Sequence, residues 1–183
     1  SISDVLEIVN NTGAAFTTAA NYAVTLSDTA SAANANTIVN DTSGIVTATV
    51  TATGTVANLN TALGNADAND ALTLVLNATS ASAADLNTLN GKTSVNIDAT
   101  TITDVTNSTA DDVNTMVNNI TEIGLDGNWN VTLSDTSLSA AEVKTINAET
   151  SGTIDISNAT TITSSSISDV LEIVNNTGAA FTT

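Results

Sequence analysis

The sequence predicts an α/β fold: a solenoid of about six strand–helix coils per 165-residue period, with a parallel sheet on one side and short helices on the other. Three observations carry this prediction. Residues 1–18 recur unchanged as residues 166–183. Helix-start signals return at a nearly constant interval along the chain. One β-type run accompanies each helix.

The repeat comes first, because a fixed period decides the architecture before any motif does. SISDVLEIVNNTGAAFTT stands at both ends of the 183-residue chain, an offset of 165. Residues 1–165 read as one full tandem period and 166–183 as the start of the next, identical one. The array is expected to continue in both directions. The opening Ser-Ile-Ser-Asp carries neither Met nor a signal peptide and reads as a slice of a longer protein. Three sub-repeats divide the period near 24–73, 74–130 and 131–165, the last running on into the next period. Their matching stretches begin VTLSDTASAANANTIV at Val24, VLNATSASAADLNTLN at Leu74 and VTLSDTSLSAAEVKTIN at Val131.

Helices are expected where a Ser or Thr precedes an acidic or Asn residue by three positions, ahead of an apolar stripe, because the hydroxyl then caps the first turn. Six such starts fall in each period: Ser31, Thr55, Ser82, Ser108, Ser139 and Ser166. The shortest gap separates Ser31 from Thr55 and the longest separates Ser108 from Ser139. The mean spacing is about 27 residues, inside the range of roughly 20 to 50 residues that marks solenoid repeats. Apolar residues follow at i, i+3 and i+4, as in Val113, Met116, Val117 and in Val170, Ile173, Val174. Helices of about 9 to 12 residues are too short to stand alone and must pack on a neighbour.

Strands are expected at Val24–Leu26, Ile45–Thr53, Leu72–Leu76, Val95–Ile97, Asn130–Leu133 and Ile154–Ile156. Gly44, Gly127 and Gly152 sit beside three of them as turn residues. Strands alternating with helices imply βα units and a parallel sheet, and right-handed crossovers place the helices on one face. The plan is similar to that of leucine-rich repeats, although the LxxLxLxxNxL consensus is missing. The rival reading is a pure parallel β-solenoid in which the helical segments are irregular arcs. Strands stacking at about 4.8 Å would advance six coils by about 29 Å.

Composition narrows the function. Thr, Ala, Asn and Ser number 35, 28, 24 and 18, with Lys+Arg 2, Asp+Glu 19 and no His, Cys or Pro. The net charge of -17 denies nucleic acid the basic footprint it requires, and anionic membrane surfaces likewise. No apolar run is long enough to insert in a membrane. Nucleophilic catalysis through Ser-His-Asp or Cys-His is excluded, and a zinc site lacks its ligands. Carboxylate chemistry alone remains, but a site that recurs in every period is unlike a single catalytic constellation, so no enzyme activity is expected.

Three sets of residues stand out. Asp28 and Asp135 hold matching positions in the two LSDT stretches, and Asp98 and Asp155 match in NIDAT and DISNAT. Oxygen ligands recurring along an array make these four the candidate Ca²⁺ ligands, beside the simpler reading as turn residues bonding local N–H groups. Thr47, Thr49, Thr51, Thr53 and Thr55 alternate, with Thr101, Thr103, Thr161 and Thr163 recurring later. That pattern is similar to ice-binding TxT faces and equally to an ordinary exposed pleat. Trp129 and Tyr22 each stand two residues before a matching strand. With Phe16 they are the candidate interface or sugar-stacking aromatics, beside a role as core filler.

The Thr/Ala/Asn/Asp-rich repeats, with their VTLSDT and SAAD signatures, resemble those of giant bacterial extracellular proteins. The resemblance implies secretion to the cell surface and a structural role in a filament, sheath or coat, with Ca²⁺ as the one cofactor it suggests. The partners it implies are adjacent repeats and neighbouring copies of the chain itself. The alternatives are a passive adhesin stalk and a ligand-, ice- or carbohydrate-binding face. A stalk should be polar all round, whereas exposed apolar residues at one place in every period would favour assembly.

Overall fold

Hydroxyl caps decide where the helices begin. The computed structural model describes every residue except 12, 14, 164, 176, 177, 179 and 183. Helix α1 (Ile2–Val9) opens on Ser1, α2 (Ala32–Asp41) on Ser31, α3 (Val56–Ala62) on Thr55, α4 (Ala83–Asn90) on Ser82 and α5 (Ala110–Asn118) on Thr109. The short α6 (Ile120–Ile123) has no side-chain cap and ends on Gly124, whose φ of 67° a side chain would strain. Helix α7 (Ala140–Asn147) opens on Ser139 and α8 (Ile167–Val174) on Ser166. In the seven capped helices the hydroxyl oxygen accepts the backbone N–H three residues on, which satisfies a donor that the helix cannot.

Two expectations about helices are corrected. The start expected at Ser108 moves to Thr109, because the Ser108 hydroxyl is taken: it accepts the Ala83 N–H at 2.9 Å and donates to the Thr106 carbonyl at 3.0 Å. Five of the capped helices are also shorter than the expected length of about 9 residues or more, at 7 residues in α3 and 8 in each of α1, α4, α7 and α8, whereas α2 and α5 meet it at 10 and 9. The insertion of α6 accounts for the long interval before Ser139.

The strands are β1 (Val24–Thr25), β2 (Ala30–Ser31), β3 (Val46–Ala52), β4 (Ala71–Leu76), β5 (Ser80–Ala81), β6 (Asp104–Ser108), β7 (Asn130–Leu133), β8 (Ser137–Ser139), β9 (Thr153–Asp155), β10 (Thr161–Thr163) and β11 (Ala180–Thr182). All their pairings are parallel. Paired residues lie between 20 positions apart, at Ala30 and Val50, and 27, at Ile154 and Phe181. The strand expected at Val95–Ile97 is reduced to a single bridge between Val75 and Asp98, and its unit supplies β6 instead. Several short strands lie just before the caps, where the sequence reading placed none. Both β2 and β8 end on the cap residue itself, whose extended backbone continues the strand.

The fold is thus mixed α/β with parallel sheets, and its helices rule out the rival all-β reading. Strand β3 shows how the core forms. Val46, Ala48, Val50 and Ala52 face inward while Thr47, Thr49 and Thr51 face solvent, the period-two pattern of a sheet with one wet side. Leu72, Leu74 and Leu76 continue that inner face on β4. Ile38, Leu59, Leu86, Val113 and Val143 supply it from successive helices, which pack on one another in chain order with α6 set beside α4 and α5. With almost no aromatics, this core rests on many aliphatic side chains, each contributing roughly 1.5–3 kcal/mol when fully buried.

Candidate functional site

The chemistry of this chain is concentrated where one strand–helix unit meets the next. A Thr-Ser pair follows three of the helices and reaches back to the preceding unit. The Thr42, Thr93 and Thr150 hydroxyls donate to the carbonyls of Tyr22, Leu72 and Trp129. Each of those hydroxyl oxygens also accepts the N–H two residues on, from Gly44, Val95 and Gly152. The neighbouring Ser43, Ser94 and Ser151 donate both N–H and hydroxyl to Ala20, Asp70 and Gly127 carbonyls. The recurring DTSG, KTSV and ETSG carry this signal in the sequence, beyond the turn glycines Gly44 and Gly152.

Asp28 and Asp135 belong to a second set of contacts. The Asp28 carboxylate accepts the N–H of Ile2 at 3.2 Å, and Asp135 that of Ala110 at 2.8 Å. Ser108 and Ser165 do the same for Ala83 and Ala140, at 2.9 and 2.6 Å. In all four cases the donor is the first residue of a helix and the acceptor lies 25 or 26 residues later. The helix N-terminus carries unsatisfied N–H groups and partial positive charge, so a carboxylate there is favourable.

Asp98 and Asp155 act locally. Asp98 accepts the Thr100 hydroxyl at 2.7 Å and its N–H at 3.2 Å, and Asp155 accepts the Ser157 N–H at 2.9 Å. The hydroxyl and N–H of Thr100 hold the Asp98 carboxyl below the usual range, and those of Ser157 do so for Asp155. Among the described residues no group of three or more acidic side chains gathers in a way that could hold a metal ion. The four Ca²⁺ candidates are therefore placed as two inter-unit acceptors and two turn residues.

The aromatics separate. Trp129 has no exposed surface, which corrects its place as an interface candidate to core filler. Its indole Nε1 finds no acceptor. Tyr22 is half-buried, and its hydroxyl donates to Asp41. Burial pushes the phenol up to about 12, with the hydrogen bond to Asp41 and its charge adding to the effect. Phe16 is 40% exposed at the N-terminal end. The expected equivalence of Tyr22 and Trp129 appears in their carbonyls, which both take a Thr hydroxyl and both face a glycine. A Cβ at Gly44 would collide with the Tyr22 oxygen, and one at Gly152 would collide with that of Trp129. Comparison with protein-family models, with curated proteins and with solved structures gives no match.

The outer Thr face is not a regular grid. Across β3 and β4, Thr49 meets Thr73, but Thr47 meets Ala71 and Thr51 meets Val75. Thr101 and Thr103 spend their hydroxyls on Leu76, Ala78 and Thr79 carbonyls. Both lysines serve unit-to-unit contacts: Lys92 donates to the Leu63 carbonyl at 2.9 Å and Lys144 to Asp169 at 2.9 Å. Asn60 and Asn87 hold the position equivalent to Lys144, five residues after the cap, and donate to Asp85 and Asp112 carbonyls. No described helix is long and apolar enough to cross a membrane.

The two identical end segments differ in what covers them. In α1, Ile2, Val5, Leu6 and Val9 pack against the core while Ile8 is 39% exposed. In α8, Ile167 is 81% and Val174 70% exposed, while Ile173, the copy of Ile8, falls to 7%. The same sequence thus shows one face covered by the unit after it and the other by the unit before it. Outside the two repeated end segments, Ile45, Val75 and Ile162 are the large apolar side chains exposed among the described residues.

Proposed function

We propose that this chain is a non-catalytic structural segment of a long extracellular surface protein, in which strand–helix units stack into a solenoid that extends along one axis. The observation that carries this reading is the complementary covering of residues 1–18 and 166–183. Together the two copies account for burial of both faces of one helix, as an interior unit of a continuing array requires. The rungs 25 residues apart, each linking one unit to the next, support the same plan.

Within this reading the segment extends a filament or stalk lengthwise. The scattered positions of Ile45, Val75 and Ile162 supply no apolar stripe for sideways packing, and the acidic balance keeps a long array soluble. Having only two lysines and no arginine suits exposure to trypsin-like proteases outside the cell.

Negative-stain electron microscopy of a two-period protein, in millimolar Ca²⁺ and in EDTA, tests this. The expected particle is an unbranched rod that lengthens by about 29 Å per added period. Rods that persist in EDTA would rest on the protein's own rungs, and rods lost in EDTA would place Ca²⁺ in the array. A rounded particle that does not lengthen would sink the proposal.

A further inference from the structure

We infer that the recurring helix ISDVLEIV is the register mark of the array: Lys144 and Asn147 on α7 recognise Asp169 and Glu172 on α8, so that α7 selects this helix over the Thr-bearing ones. The inference rests on the stacking proposed above. It adds what fixes the order of the units.

The units are alike enough to be confused. Their capped helices all run 7 to 10 residues, and the entropy of closing a loop grows only slowly with its length, so skipping a unit costs little. Other seams do not tell one helix from another. Asn60 on α3 and Asn87 on α4 donate from Nδ2 to backbone carbonyls of the next helix, at Asp85 and Asp112, 2.9 Å in both cases. A backbone acceptor is present whatever residue follows. Six residues after the cap, Thr37, Thr61, Thr88 and Thr145 donate their hydroxyls within their own helices, to the carbonyls four residues back.

The seam between α7 and α8 differs at both places. Lys144 stands where α3 and α4 carry Asn, and its Nζ meets Asp169 Oδ1 at 2.9 Å and Glu172 Oε2 at 4.0 Å. Glu172 stands where α2 to α5 and α7 carry Thr, and it accepts the Asn147 amide at 2.6 Å. These acceptors belong to side chains, so the fit depends on which helix arrives. The Asp169 and Glu172 side chains are only 16% and 23% exposed in this seam. Against a helix without the ammonium they would be desolvated and unpaired, which excludes wrong neighbours as well as attracting the right one. Toward the unit that follows, the same helix is apolar. Leu6 of α1, the copy of Leu171 and the equivalent of Lys144, packs on the core where α1 meets α2. A helix charged toward the unit before it and aliphatic toward the unit after it recurs once in every 165 residues.

The test is native-state hydrogen exchange of the α8 amides in the 183-residue chain, which reads how often α8 leaves α7. Lys144→Asn gives α7 the residue of α3 and α4. Asp169→Asn with Glu172→Thr gives α8 the residues that α3 carries as Asn58 and Thr61. With native α8, Lys144→Asn should speed exchange at least about threefold, and with the altered α8 it should leave exchange unchanged or slow it. The helix preference of each new residue cancels in this comparison. The same fold-change in both backgrounds, with α8 protected, would overturn the recognition and leave the stacking intact. Native α8 amides that exchange at the unfolded rate would reject both.

Discussion

Asp135 accepts the backbone N–H of Ala110 across 25 residues, at 2.8 Å, and so binds the first turn of α5 to the unit that follows it. Ser108 and Ser165 fill the same place elsewhere, which makes the position one for an oxygen acceptor rather than for a charge. Asp135→Ser should therefore cost under about 1 kcal/mol, whereas Asp135→Ala leaves a partly buried donor unpaired and should cost about 1–3 kcal/mol. Urea denaturation of the two variants measures the difference. Equal losses would show that the carboxylate acts some other way.

Ser139→Ala removes a full capping box, in which Ser139 and Glu142 satisfy each other's backbone groups. A loss of about 1 kcal/mol is expected, with faster hydrogen exchange in α7. Ser108→Ala should behave differently, loosening the start of α4 rather than α5, because its partner is Ala83. Exchange rates that change first in α5 would restore the cap assignment suggested by the sequence.

Gly152→Ala should destabilise by about 1–3 kcal/mol or more, since its Cβ would run into the Trp129 carbonyl. Gly127→Ala is the control, with nothing within 4 Å of the added atom, and its midpoint should shift little. Thermal melts of the pair read this directly. Comparable shifts would mean that the Thr150 clamp does not fix the distance between the two strands.

Tyr22 is the only tyrosine, so its ionisation can be followed alone by ultraviolet absorbance. The expected midpoint is about 12 in the native chain and 10.0 in the unfolded one. A raised folded value favours the neutral phenol. Its contribution to stability is therefore complete below pH 10 and is lost as pH rises toward 12. Asp41→Asn should lower the native midpoint by removing the charge that opposes phenolate. A native midpoint near 10 would show the ring to be solvated.

The helix starts and the main strands were legible in the sequence because capping and period-two burial are local, set by residues within a few positions of one another. At β3 the alternation of Val and Ala with Thr gave strand and face together. Ser108 misled because a Ser before a Thr offers two hydroxyls for one cap, and only the adjacent unit decides which is free. The role of Asp28 and Asp135 was hidden for a similar reason. Their repetition is real, but the group they serve stands 25 or 26 residues earlier, a relation visible only once the units are stacked. Trp129 likewise keeps its equivalence to Tyr22 in the carbonyl that takes a Thr hydroxyl, while the two rings differ in burial.

The cross-unit hydrogen bonds span 20 residues, from Thr42 to Tyr22, up to 29, from Lys92 to Leu63. So modest a reach lets short lengths of the chain close as they are delivered. Each length of about thirty residues can close onto the one delivered before it, without waiting for the remainder. The growing tip then serves as the mould for whatever emerges next.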